Sequence, residues 1–268
     1  SPGGWLKRLK ENRLSPQDIC LTLDDGLRCQ FDVCLPVLEK HGLKAFWFVF
    51  SSVFEGKIVK SEVYNFFAAR YFQDVNDFYT SFLLKCPKNV LDKLKEEGFL
   101  RYAKEKQTMF PFYSVNDLKY RFIRNELLTK EAFEAIVDGM AEEKGTTTEG
   151  LAKNFWMSDE QLKELALKDH SVGLHSYAHP FELAKLPVKE QEDQYQKNYQ
   201  HIKSVCGREA VSMSHPLNSY SEDTLKVLQK LGVVCGFRSN MTPPYGKKIN
   251  PSGLELARED ATNILKAI

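Results

Sequence analysis

Short apolar runs that stop on polar clusters, with stretches of helical spacing between them, constrain this chain more than any other feature. Asp18-Ile19-Cys20-Leu21-Thr22-Leu23 is apolar and stops at Asp24-Asp25-Gly26, which predicts a buried strand meeting a turn. Phe31, Cys34, Leu35 and Leu38 then share one helical face, and His41-Gly42 supplies a stop. Pro36 lies inside that pattern and marks either a kink or a later helix start. Residues 44–50, including Ala45-Phe46-Trp47-Phe48-Val49-Phe50, predict a second strand. Strand, helix and strand on short connections form a βαβ unit, the building block of a parallel sheet.

The alternation breaks between about residues 52 and 154. Helical patterns dominate there, over residues 61–72, 75–84 and 129–143. Aromatic residues crowd the first two patterns: Tyr64, Phe66, Phe67, Tyr71, Phe72, Phe78, Tyr79 and Phe82. A helical insertion with its own small core accounts for them. Alternation resumes at Ser158-Asp159-Glu160-Gln161, a capping box followed by Leu162, Leu165 and Ala166 at helical spacing. A strand over 171–174 runs into His175, and a polar helix over about 188–205 leads to a strand over 210–213 before Ser214-His215-Pro216. An amphipathic helix over 224–231 stops at Gly232, a strand covers 233–237, and Leu254 to Leu256 begins the last one.

Bulk properties exclude several classes. The 37 basic and 36 acidic side chains leave a net charge of +1, so nothing in the totals draws the chain to nucleic acid or an anionic membrane. No apolar run approaches the roughly 20 residues of a bilayer span. Hydrophobic residues at 43% and charged residues at 27% suit a globular chain rather than a disordered one. No secretory signal is visible, and Cys20, Cys29, Cys34, Cys86, Cys206 and Cys235 lack CxxC pairing, so they read as buried thiols in a cytoplasmic protein.

Four polar clusters sit at predicted strand ends: Asp24-Asp25, His175 to His179, His215-Pro216 and Arg258-Asp260. Parallel α/β folds build their sites at that edge, because the loops there converge. Singly, each cluster has a plain alternative. Asp-Asp-Gly also suits a solvated turn, and a His-x-x-x-His pair brings its imidazoles to one face only if residues 175–179 form a helical turn. Together, Asp25, His175 and His179 give three ligands with room for water, the pattern of catalytic zinc, while cobalt, nickel and iron suit the same donors. Such an ion acidifies water and polarises a carbonyl, and Asp24 remains free as a general base. His41, His170 and His201 lie away from strand ends and read as surface or packing residues.

Leu21-Thr22-Leu23-Asp24-Asp25-Gly26 resembles the first motif of the polysaccharide deacetylase (NodB-homology, carbohydrate esterase family 4) superfamily. Gly173-Leu174-His175-Ser176-Tyr177-Ala178-His179-Pro180 resembles the second, and Ser214-His215-Pro216-Leu217-Asn218-Ser219-Tyr220 is more loosely similar to the third. The resemblance covers residues 18–50 and about 156–240. It implies an α/β fold, a distorted (β/α)7 barrel, here one domain over 1–268 with a helical insertion over about 52–154. It also implies a divalent metal, most simply zinc, on Asp25, His175 and His179, with Asp24 as general base. Leu217, after Pro216, falls where a backbone N–H stabilises the oxyanion.

Two departures stand out. The third motif lacks the family's Arg that pairs with the base, and no His follows His215 to fill the late Leu-x-His position. His215 is the candidate acid or else a packed, hydrogen-bonded histidine. Arg258 is the candidate replacement Arg, provided Leu254, Leu256, Arg258 and Asp260 share one side; a surface pair is the alternative, and Arg238 competes.

The expected activity is metal-dependent removal of an N-acetyl group from an amino sugar or polysaccharide intermediate. Its partner would be a small-molecule or oligosaccharide substrate, with the insertion's aromatics as a wall stacking on a sugar ring. The alternatives are a deformylase or amidohydrolase on another carbonyl, and a carbohydrate-binding protein with a degenerate site.

Overall fold

A computed structural model describes residues 1–109, 113–244 and 246–267. The chain divides into two compact units, one of residues 1–57 with 154–268, the other of residues 58–153. In chain order the first unit contributes α1 (Pro2–Lys10), β1 (Leu21–Asp24), α2 (Leu35–Lys40) and β2 (Ala45–Val49). The second supplies α3 (Lys60–Tyr71), α4 (Val75–Lys85), α5 (Lys88–Asp92), α6 (Glu97–Met109), α7 (Val115–Phe122), α8 (Lys130–Glu143) and α9 (Thr148–Ala152). The first unit then resumes with α10 (Asp159–Leu167), β3 (Ser171–Leu174), α11 (Val188–Cys206), β4 (Ser212–Ser214), α12 (Glu222–Lys230), β5 (Cys235–Phe237) and α13 (Ala261–Ala267).

The five strands form one parallel sheet in the order β1-β2-β3-β4-β5. β2 is buried at every position, as a parallel strand covered on both faces must be. Its side chains alternate between two cores. Ala45, Trp47 and Val49 join Leu35, Leu162, Tyr195, Ile202 and Leu228, whereas Phe46 and Phe48 join Leu6, Cys235 and Phe237. Register aligns Asp24 with Phe48, Val49 with Leu174, and Ser214 with Phe237, so the strands end along one edge. Gly173 lets β3 and β4 approach there: a Cβ at that position would meet the Ser212 carbonyl oxygen at 2.5 Å.

Several local expectations shift. β1 begins at Leu21 rather than Asp18, because Asp18 closes a turn, accepting from Ser15 N at 2.7 Å, and Ile19 is exposed. Pro36 neither starts nor ends its helix. It lies inside a continuous helical stretch over residues 28–40, directly after a π-helical turn over Gln30–Cys34 whose wider bonding accommodates the missing N–H. The last strand is a single bridge between Phe237 and Leu256, so the described sheet has five strands, not seven. Cys86 and Cys235 are buried, but Cys20, Cys34 and Cys206 are half-buried and Cys29 is exposed, against the reading of all six thiols as buried. The capping box at Ser158 and Gln161 forms as read.

The second unit lies inside the predicted insertion. Residues 52–57 stay with the sheet unit, in which Ser52 N donates to the Tyr177 carbonyl. The unit's own core is aromatic: Phe78 packs on Phe67 and Tyr120, and Phe82 on Tyr120 and Phe133, with ring centroids 4.9–6.1 Å apart. Asp138 ties α3, α8 and α9 together, accepting from Lys60 Nζ, Tyr64 Oη and Thr148 Oγ1. Among the described residues no helix is long and apolar enough to cross a membrane.

Candidate metal centre

The edge where the strands end gathers the acidic pair and both histidines. Asp24 closes β1, and Asp25 follows with φ at 77°, a left-handed turn that sends the two carboxylates apart. Asp25 Oδ1 lies 3.3 Å from His175 Nε2 and 3.5 Å from His179 Nε2. Among the described residues these three form the one group of metal-ligating type, with ligand atoms all within 4.8 Å of one another.

The loop carrying the histidines is not the helical turn the spacing suggested. Residues 175–179 are irregular, with Ser176 at φ 67° and His179 at φ 51°, and it is these turns that bring both Nε2 atoms to Asp25. His175 Nδ1 donates to the Ser214 carbonyl at 2.8 Å, which fixes the tautomer and leaves Nε2 as a bare lone pair. Burial opposes a charge on His175, but the facing carboxylates of Asp24 and Asp25 outweigh it and raise its pKa. His179 is pushed down to about 4 by burial and by its neighbour His175. Asp25 Oδ1 is buried without a hydrogen-bond donor. One orphaned carboxylate oxygen facing two imidazole nitrogens is a donor set that fits a divalent transition metal.

Asp24 has different company. Arg258 grips it from both sides, Nη1 to Oδ1 at 2.8 Å and Nη2 to Oδ2 at 2.7 Å, and Ser214 Oγ donates to Oδ2 at 2.9 Å. Burial would raise the Asp24 pKa, but the guanidinium charge and these bonds bring it down to about 2. Arg258 is itself braced, by Nε to the Arg238 carbonyl and Nη1 to Thr22 Oγ1. Asp260 does not share the rim: its Oδ1 accepts from Thr262 N at the start of α13. Arg238 is also elsewhere, buried and spent on the carbonyls of Glu255, Thr242 and Ile249.

His215 ends β4 but turns into the protein. Its Nε2 donates to the Leu254 carbonyl at 2.7 Å and its ring stacks on Tyr220, while burial pulls its pKa down to about 4. These are the contacts of the packed histidine, the second of its two readings. Pro216 opens a short turn whose bonds run from Asn218 N to His215 O and from Ser219 N to Pro216 O. Leu217, at φ 51° and exposed, holds its N–H outside that ladder. His170 and His201 are packing residues, the first accepting from Ala45 N and Trp47 Nε1, the second stacked on Phe54; His41 is exposed.

Sequence reasoning missed Ser214, which contacts both halves of the site, and Gln194 and Asn198 on α11, which hold the histidine loop. Their signal was available: Gln191, Gln194 and Asn198 repeat at helical spacing along an otherwise solvated sequence.

Comparisons with known proteins bear on one segment of the sequence and on the fold. A model of the polysaccharide deacetylase family matches residues 125–236, a segment that holds the histidine loop but not Asp24 and Asp25. No curated protein sequence matches the chain. Solved structures share its fold, among them the following three. The Streptococcus pyogenes deacetylase PplD in complex with acetate has a TM-score of 0.54 at 14% identity, covering 96% of this chain and 71% of its own. The BpsB deacetylase domain from Bordetella bronchiseptica has a TM-score of 0.51 at 14% identity, covering 94% and 75%. A de-N-acetylase from Aggregatibacter actinomycetemcomitans has a TM-score of 0.51 at 10% identity, covering 98% and 80%.

Proposed function

We propose that this protein, similar to polysaccharide deacetylases in a family segment and in fold, is a metal-dependent hydrolase removing an N-acetyl group from an amino sugar. The observation that carries the reading is the convergence of Asp25, His175 and His179 beside a carboxylate held by Arg258. A divalent ion on those three ligands, zinc being the simplest choice, would acidify water and polarise the acyl carbonyl.

The chain's own residues supply the rest. Asp24 Oδ2 accepts two bonds and Oδ1 only one, so Oδ1 keeps a lone pair for the attacking water's proton. Arg258 holds the carboxylate plane and keeps it ionised. The Leu217 N–H is the donor for the oxygen that becomes negative at the tetrahedral stage. His215 is left out as the acid, because its Nε2–H is committed to Leu254 and its ring is packed on Tyr220. Asp24 Oδ1 then returns the proton to the leaving nitrogen, so the amine departs neutral, and the water's oxygen with its second proton leaves as acetic acid, which ionises to acetate in solvent.

Acetate release from N-acetylglucosamine oligomers tests the reading. The expected result is turnover that stops with a chelator, returns with zinc, and is absent in Asp25→Ala. Full release by the chelated protein or by Asp25→Ala would sink the proposal. Formate from an N-formyl sugar, or ammonia from a primary amide, with no acetate from these oligomers would point to another carbonyl substrate, and sugar binding without product to a degenerate site.

A further inference from the structure

The loop that carries both histidines has neither a helical nor a sheet ladder, so its backbone donors must find partners elsewhere. The last sheet pair before it is Val49 with Leu174. Asn198, fully buried on α11, takes over there: its Oδ1 accepts from His175 N at 2.9 Å and its Nδ2 donates to the Val49 carbonyl at 2.9 Å. One turn earlier on the same face, Gln194 Oε1 accepts from Tyr177 N at 3.1 Å and Ala178 N at 2.8 Å. Ser176 Oγ closes the loop by accepting from His179 N. Two side-chain amides of one helix thus satisfy three of the loop's five N–H groups.

We infer that Gln194 and Asn198 are positioning residues that set the separation of His175 from His179, a role resting on the reading of Asp25, His175 and His179 as a metal site. The left-handed Ser176 and His179 are costly for residues with a Cβ, and the loop holds them only while its peptides are pinned. Released from Gln194, Tyr177 and Ala178 lose the bonds that fix the turn between the two ligands. Gln194 works through its acceptor alone, so a carboxylate there preserves the contact and a thioether of similar length removes it.

The test compares wild type, Gln194→Met and Gln194→Glu in the full chain with two readouts. The first is zinc affinity from competition with a chromophoric chelator. The second, made without metal, is amide hydrogen exchange of the peptide covering residues 174–180. Gln194→Met is expected to weaken zinc binding by about 10- to 100-fold and to speed exchange at Tyr177 and Ala178. Gln194→Glu is expected to restore both to within about threefold, the size of effect a retained acceptor allows. Wild-type affinity and exchange in Gln194→Met would overturn the inference, even if the wild type releases acetate. A wild type that releases no acetate, with Gln194→Met still weakening zinc and loosening the loop, would sink the proposed activity and leave the positioning role standing. Asn198→Leu, matched in volume, provides an independent second variant, expected to speed exchange at His175.

Discussion

His170 should make the fold sensitive to acid in a way that can be isolated. Its Nδ1 accepts from two donors, Ala45 N and Trp47 Nε1, both at 3.0 Å, so the neutral ring carries its proton on Nε2. A second proton would have to enter at Nδ1 and expel both. Burial, helped by the charge of Lys44, accordingly lowers the pKa from its ordinary 6.5 to about 4. The sign follows from linkage. Between pH 6.5 and 4 the unfolded chain binds a proton that the folded chain refuses, so the contribution is complete above 6.5 and is lost as the pH falls towards 4. The loss reaches at most about 3 kcal/mol, at a slope no steeper than about 1.4 kcal/mol per pH unit.

Urea unfolding at half-unit steps from pH 7.5 to 4.5, on wild type and His170→Asn, measures it. Asn places an acceptor near the Nδ1 position but does not titrate, so its stability curve should be flatter by that difference. His170→Leu, which strands both donors, should instead lose about 2–5 kcal/mol at pH 7. The reasoning fails if wild type and His170→Asn lose stability in parallel, because other groups would then account for the acid sensitivity.

Arg258→Lys should lower kcat at least tenfold and leave KM nearly unchanged in the acetate assay, because one ammonium cannot span both Asp24 oxygens, Thr22 and Ser214. Arg258→Met should also destabilise by about 2 kcal/mol, somewhat less than a fully buried pair because both partners keep some exposure; an unchanged urea midpoint would contradict this. Gly173→Ala should cost about 3 kcal/mol by urea unfolding, since its Cβ would meet backbone and side-chain atoms of Ser212 and the Phe48 ring below 3 Å.

Elements with strong local signals were legible in the sequence. The runs before Asp24 and His175 are apolar and end abruptly, and the structure ends strands there; Ser158 and Gln161 announce a helix start that forms as read. The gathering of Asp25, His175 and His179 followed from the rule that parallel strands end on one edge. What escaped was decided by tertiary contacts. The helical turn expected for residues 175–179 gives way to a loop, because α11 offers amide acceptors that no local pattern reveals. Leu256 makes one bridge rather than a strand because the carbonyls that would extend the ladder on either side, those of Leu254 and Arg238, accept from the His215 and Arg258 side chains instead. His215 looked accessible at a strand end, yet one carbonyl, that of Leu254, 39 residues later, commits its ring.

The bond between Asp24 and Arg258 spans 234 residues of sequence. During synthesis, β1 through β4 can leave the ribosome and pair while Asp24 has no counter-charge. A nascent chain that has emerged only as far as Ser214 therefore carries an unneutralised carboxylate at the edge of a forming sheet, stabilised when Arg258 arrives. The ionised form of Asp24 thus depends on a residue that lies far later in the chain than the strand carrying it.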